Sequence, residues 1–282
     1  MQTKVSRRKF LTLGAGALLG GALVATPTYL HLQDESRQLV VERVRIPIRN
    51  LSPALEGFTI VQLSDIHLEP YTKADLIRQA VEIANSLQPG LVVLTGDYVW
   101  RKLEAIFDLT PILARLNAQH GVFSIMGNHD IWTDVNVVRT AFQEQGLPVL
   151  ENQGVSLTVN RAPLYLAGLD DGWSGQPDLE AALDGAPAGA PVVLLLHEPD
   201  LADAVSLDGR VSLQLAGHSH GGQIRFPGIG ALVLPYLGRK YDLGLYRVNE
   251  MWLYTNRGIG ATTEPVRYNC PPEITQITLV GT

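Results

Sequence analysis

The sequence predicts an α/β protein in which two β-sheets face each other with helices outside. Three observations predict it. Strand-like and helix-like signals alternate through the first half, the order of a layered domain with a largely parallel sheet. The second half is richer in strand, and its helical signal is thin. Five apolar runs end in acid, amide or imidazole side chains, and the carboxyl ends of strands are where an open α/β sheet collects its ligands. The chain has 282 residues, 46% hydrophobic and 18% charged, which suffices for a large core without disorder-like bias.

The elements follow in order. FTIVQLSD, 58–65, is a strand-like run that closes on an acid. Residues 73–90 carry Leu76, Ile77, Ala80, Val81, Ala84 and Leu87 at helical spacing, with Pro89-Gly90 as a stop. LVVLTGD, 91–97, reads as a buried strand. Residues 103–118 read as a second helix, with Pro111 placing a kink or boundary inside it. GVFSIMGNHD, 121–130, is a third strand with its turn, and 133–146 is a helix with a Thr or Asp cap and a Gly stop. Beyond it, PLYLAGLDD, PVVLLLHEPD, VSLQLAGHSHGG, LGLYRV, MWLYTNRG and ITQITLV read as strands or buried runs, with helical signal near 177–184 and 199–206. With no linker and no fixed-period repeat, one domain over 38–282 is expected.

The first 30 residues read as a separate segment. Lys4, Arg7, Arg8 and Lys9 form a basic head, and 10–25 is uncharged and mostly apolar. Ser6-Arg7-Arg8-Lys9-Phe10-Leu11 resembles the twin-arginine export signature, so the translocase of that route is an expected partner. The apolar stretch is shorter than the ~20 residues that span a bilayer comfortably. Export to the periplasm, cell wall or medium is the expectation, with an uncleaved membrane anchor as the alternative.

Charge and cysteine content exclude several classes. The single cysteine, Cys270, rules out an internal disulfide framework and a cysteine-based zinc cluster. Net charge is −6, and removing the first 26 residues leaves 18 basic against 28 acidic residues, near −10. No long basic run follows the N-terminus, so a nucleic-acid partner is not expected.

The strand ends hold the chemistry. Asp65 and His67 follow the first run and Asp97 the second. Asn128, His129 and Asp130 follow the third, His197 follows PVVLLL, and His218 and His220 follow LQLAG. Of seven histidines, only His31 and His120 lie elsewhere. Each piece alone has an ordinary reading as a cap, a turn or a hydrogen-bonded core residue; their ordered recurrence does not. Carboxylate, imidazole and amide ligands without thiolate suit Mn, Fe or Zn. Asp65, His67, Asp97, Asn128, His197, His218 and His220 exceed one tetrahedral site and match two divalent ions ~3.5–4 Å apart that share a carboxylate.

The ordered set Asp65-Ile66-His67, Gly96-Asp97, Gly127-Asn128-His129-Asp130, His197 and Gly217-His218-Ser219-His220 resembles the calcineurin-like metallophosphoesterases over about 60–225. LLLHEPD, GHSHGGQIRFP, NRGIG and PVRYN are similar to the exported or membrane-associated bacterial branch, the YkuE and YaeI type of phosphodiesterase. The resemblance implies a four-layer α-β-β-α sandwich. It implies that Asp65, His67 and His220 hold one metal, that Asn128, His197 and His218 hold the other, and that Asp97 bridges them. A metal-bridging hydroxide would attack phosphorus in line. His129 would face the substrate and protonate the leaving oxygen or stabilise its developing charge, with Asp130 orienting its ring. GNHD also reads as a helix-entry turn with Asp130 as cap.

Substrate is less defined by these residues. The loop GLDDGWSG, 168–175, could rim the site or be an ordinary surface loop, and Arg257 and Arg267 are candidate phosphate contacts, although an arginine paired with a surface acid is the commoner case. The branch resemblance implies a small or lipid-linked phosphodiester or pyrophosphate such as UDP-2,3-diacylglucosamine. A cytoplasmic nucleotide-sugar conflicts with export unless the N-terminus is a cytoplasm-facing anchor. A non-catalytic scaffold of the same fold would be expected to have lost ligands, and this chain has lost none.

Overall fold

The computed structural model describes residues 35–282, so the export or anchor segment lies outside the described residues. Two main sheets carry the fold. One has the order β1 (Val40–Ile48), β13 (Glu273–Gly281), β2 (Thr59–Leu63), β3 (Leu91–Thr95), β4 (Val122–Ile125). The other runs β11 (Gly244–Val248), β12 (Met251–Thr255), β8 (Leu213–Ala216), β7 (Val192–Leu195), β6 (Ala162–Gly168), β5 (Gln153–Val159). Both are mixed. β2, β3 and β4 are parallel while β13 runs against β2. β6, β7, β8 and β12 are parallel, with antiparallel β5 and β11 at the edges. A short hairpin, β9 (Arg225–Phe226) and β10 (Gly230–Ala231), stands apart from both.

Burial separates three apolar layers, as four stacked layers require. Alternate residues of the parallel strands go to opposite faces. Val61, Leu63, Val92 and Leu94 pack with Ile77, Ala80, Val81, Ile106, Leu109 and Phe142 from the helices α1 (Ala74–Ser86), α2 (Ala105–Leu113) and α3 (Asn128–Glu144). Ile60, Leu91 and Val93 pack against Leu166, Leu195, Leu213 and Leu215 of the other sheet. The outer face of that sheet, including Ala167, Leu194 and Leu253, is covered by Ala182 and Leu183 of α4 (Leu179–Leu183) and by Ala202 and Val205 of α5 (Ala202–Val205).

Two helices differ from the expected bounds. α2 spans nine residues with Pro111 inside it, and ends two residues later. α3 begins at Asn128 rather than near 133. It bends at Asp134 (φ −174°, ψ 97°), whose Oδ1 accepts from the amides of Asn136 and Val137 and so caps the second segment. The early start matters because it places the GNHD residues in the first turn of a helix. β1 has no counterpart among the expected strands. Its arginines, Arg43 and Arg45, alternate with apolar residues, as on an edge strand with one solvated face.

Candidate metal centre

All seven candidate ligands converge at the carboxyl ends of β2, β3, β4, β7 and β8. Six of them form two triads, Asp65–His67–His220 and Asp97–His197–His218. Each triad draws carboxylate from one sheet and imidazole from the other. His67 Nε2 and His220 Nε2 face each other at 3.0 Å, and Asp65 Oδ1 lies 3.3 Å from His220 Nε2. Such spacing suits donors arranged around one cation at ~2.0–2.2 Å. Asp97 Oδ2 lies 3.4 Å from His67 Nε2 and 3.2 Å from His197 Nε2, so a single oxygen faces both triads. Its partner Oδ1 accepts from the backbone amide of His129 at 2.9 Å. That bond leaves Oδ2 turned toward both triads, where Asp97 would be the residue shared by two ions.

The imidazoles are oriented by the bonds of their other nitrogens. His197 Nδ1 contacts the Thr95 carbonyl at 2.6 Å and His218 Nε2 the Tyr236 carbonyl at 2.7 Å. These partners direct His197 Nε2 and His218 Nδ1 to the centre. Asn128 Oδ1 is buried and has no hydrogen-bond partner among the described residues, as is true of His197 Nε2. A buried polar atom without a partner carries a penalty, and a cation beside Asn128 would remove it. The residues fit a dinuclear centre.

The charge states of three of the histidines agree with ligation, while burial and the nearby Asp97 raise Asp65 to about 6. Burial pushes His67 down to about 3 and His218 down to about 4, and burial with the nearby His67 holds His220 well below its ordinary value. Three ligands are therefore neutral, as ligation requires. Burial raises Asp97, but His197, His129 and His67 outweigh it and hold the carboxyl well below the usual range. Burial lowers His197, yet Asp97 and Asp65 raise it well above its ordinary value.

The backbone is shaped for this convergence. Asp65, His67, Asp97, His218 and His220 all adopt the left-handed region, with φ of 49°, 45°, 59°, 69° and 52°. Non-glycine residues in that region are uncommon and cluster at functional sites. Gly127 is required by proximity: a Cβ there would collide with Asp97 Oδ1.

Asp130 departs from the expected orienting role. Its carboxylate is fully buried and accepts the amides of Asp97 (2.9 Å), Gly127 (3.0 Å) and Tyr98 (2.8 Å), with Val99 at 3.4 Å. It is committed to backbone amides rather than to the His129 ring. Those bonds clamp the turn after β3 to the turn after β4, so Asp130 is a positioning residue for Asp97 and Asn128. Burial and the nearby Asp97 push it up to about 7. The cap reading of GNHD is the one the geometry supports.

Neither arginine reaches the site. Arg267 is fully buried and donates to the carbonyls of Arg257, Gly258, Gly260 and Cys270. Arg257 pairs with Glu42 and Glu273 at 2.6 Å. Both hold the C-terminal segment together, because short carbonyl-rich turns there need buried donors. Arg267→Gln is expected to lower the melting temperature by roughly 6–12 °C, from a loss of about 3 kcal/mol as several carbonyls lose their donor. KM for a soluble diester should not change; calorimetry and steady-state kinetics check both.

The 168–175 loop does rim the site. Asp171 Oδ1 accepts the amides of Trp173 and Ser174 and fixes the loop, and Trp173 stands 5.8 Å from the His218 ring. The sequence reading missed the aromatic surround. Trp100 lies 4.2 Å and Trp132 4.8 Å from the His129 ring, centroid to centroid. Trp132 Nε1 donates to Ser174 at 2.7 Å. A signal existed: Trp100 and Trp132 each follow a strand-end motif residue, Asp97 and His129, by three positions. The rim opens into a cavity of about 700 Å³ running from Asp97, Asn128 and His129 to Ile224, Leu232, Val233, Leu234 and Pro235.

Residues 58–222 match the family model described as calcineurin-like phosphoesterase, and every candidate ligand lies inside that span. The chain belongs to the calcineurin-like phosphoesterase family. As a member it is a metallophosphoesterase. It is 35% identical over 287 residues to the uncharacterized metallophosphoesterase YkuE of Bacillus subtilis (strain 168), covering 99% of both chains. It is 31% identical over 284 residues to the phosphodiesterase YaeI of Escherichia coli (strain K12), covering 98% of this chain and 100% of that one. Its fold is similar to the NAD nucleotidase of Haemophilus influenzae (TM-score 0.50, 16% identity, 73% of this chain and 46% of that one). It is also similar to TT1561 of Thermus thermophilus (TM-score 0.50, 12% identity, 72% and 90%).

Proposed function

We propose that the protein is a two-metal phosphodiesterase. The observation that carries this is the cavity. It contains Asp97, whose Oδ2 faces both triads, it exposes His129, and its walls are largely apolar, Arg101 standing outside it on the adjoining surface beside His129. A singly charged diester with two organic substituents suits such apolar walls. Similarity to the phosphodiesterase YaeI supports the same reading.

Asp65, His67 and His220 would hold one ion, Asn128, His197 and His218 the other, and Asp97 both; the thiolate-free set suits Mn, Zn or Fe. Bound ions lower the pKa of water and draw charge from the phosphoryl oxygens. The chain supplies the rest. Burial lowers the pKa of His129, so its imidazole is neutral near pH 7 and donates an N–H to the leaving oxygen. Trp100 and Trp132 hold that ring in place, and the apolar walls exclude bulk water from it.

The test is hydrolysis of bis(p-nitrophenyl) phosphate against p-nitrophenyl phosphate. Chelator-stripped protein is reloaded with Mn, Zn, Fe or Mg. Diester cleavage should return with metal and exceed monoester cleavage. His129→Ala should lower kcat about 10²–10⁴-fold with metal content unchanged. Absence of metal uptake would sink the reading.

The apolar walls favour one variant of this function, a hydrolase of a lipid-linked phosphoanhydride of the UDP-2,3-diacylglucosamine type. Export through the twin-arginine translocase, or retention by an uncleaved N-terminus, is the localisation that Ser6-Arg7-Arg8 and the apolar 10–25 stretch support.

A further inference from the structure

Residues 226–237, FPGIGALVLPYL, contain no charged side chain. They form the turn between β9 and β10 and the strap beyond it. Phe226, Ile229, Leu232, Val233 and Tyr236 are 40%, 72%, 68%, 77% and 55% exposed, a contiguous apolar surface of the kind that marks an interaction site. No helix among the described residues is long and apolar enough to cross a membrane, so this strap is not part of a span.

Its chemistry selects the partner. Aromatic residues stand at both ends, Phe226 and Tyr236, and basic residues lie just outside, Arg225 on one side and Arg239 and Lys240 on the other. Aromatic rings at the margin, aliphatic residues between and cations beyond are the order of a segment that settles at the boundary of headgroups and acyl chains. Arg225 and Lys240 are paired with Asp242 and Asp203. Arg239 is exposed and has no ion-pair partner among the described residues, which leaves its charge for anionic headgroups.

The chain entry agrees. The described residues begin at Glu35, whose carboxylate accepts the Cys270 amide, and the Ser36 hydroxyl donates to the Pro265 carbonyl. Pro265 lies between Glu264 and Val266, which line the same cavity as Leu232 and Val233. Ser36 and Pro265 themselves line a neighbouring cavity with Tyr71 and Thr72, so the described chain begins beside the wall that Glu264 and Val266 give to the cavity of the strap.

We infer that the 226–237 strap docks on a lipid bilayer, with the cavity opening toward the membrane to take an acyl chain of an amphiphilic phosphoester. The docking stands on the strap alone; the acyl-chain clause rests on the phosphodiesterase reading.

The test uses the full chain with Ile229→Cys labelled by an NBD dye, Cys270 being buried. Vesicles of phosphatidylglycerol and phosphatidylcholine should shift the emission to the blue and raise it several-fold, with quenching by brominated acyl chains. Water-like emission from protein that floats with the vesicles would overturn the docking, since the N-terminus alone would then hold the membrane. Blue-shifted emission before vesicles are added would overturn it too, by showing the strap covered by its own chain or a second copy. In the unlabelled protein, Ile229→Asp should leave bis(p-nitrophenyl) phosphate turnover within twofold and lower hydrolysis of an alkyl p-nitrophenyl phosphate held in the vesicles roughly tenfold. An equal fall on both esters would overturn the substrate clause. Turnover of neither ester by the unsubstituted protein would refute the phosphodiesterase reading, while the dye result would still decide docking.

Discussion

Asp97→Asn should nearly abolish diester hydrolysis, by about 10³-fold or more, with loss of both ions rather than one. The same Oδ2 faces His67 and His197, so one substitution weakens two sites. Asparagine preserves shape and the bond from the His129 amide, but it removes the negative charge lying between the triads. Imidazoles and an amide are neutral ligands, which leaves Asp65 as the other carboxylate among the seven. Metal analysis after gel filtration checks the stoichiometry. The stabilisation gained on adding metal, about 2.7 kcal/mol at a hundredfold excess over Kd, should largely vanish. A variant that kept two ions and lost only rate would show that Asp97 is not shared.

Asp130→Ala should unfold the protein at a markedly lower temperature. The carboxylate satisfies buried amides from two turns, and removing it leaves those donors without partners. A cost of about 3–5 kcal/mol follows from leaving several buried amides without partners. That corresponds to a fall of roughly 6–20 °C at this chain size. Activity should fall as well, because Asp97 and Asn128 sit on the turns that come loose. A purely orienting role toward His129 would lower the rate and leave the melting temperature unchanged.

The chemistry of the centre was legible in the sequence because each ligand ends an apolar run. Asp65, Asp97 and His197 follow strands buried on both faces, and such strands announce themselves without tertiary information. α1 was legible for a similar reason, with Ile77, Ala80, Val81 and Ala84 on one face. Asp130 was legible as a cap but not as the clamp between two turns, because the amides of Asp97 and Tyr98 that it binds lie more than thirty residues away. Arg257 takes the commoner of its two readings, a pairing with acids, whereas the carbonyl partners of Arg267 are set by turns that only the fold brings around it. The aromatic rim and the 226–237 strap escaped because apolar residues without strict periodicity resemble core. Only exposure separates Leu232 and Val233 from a buried strand.

The mixing of the two sheets within each triad has a mechanical consequence. Asp65 and His67 come from the first sheet, and His220, 153 residues beyond His67, comes from the second. Asp97 likewise meets His197 and His218 across the interface. Two ions held there would act as cross-links between the halves of the sandwich, closing loops of a hundred residues and more. Loops of that length carry a large closure entropy, so metal loading would stabilise the native chain much as a disulfide does in a secreted protein. The chain has one cysteine and so makes no internal disulfide; bound metal would be the staple in its place.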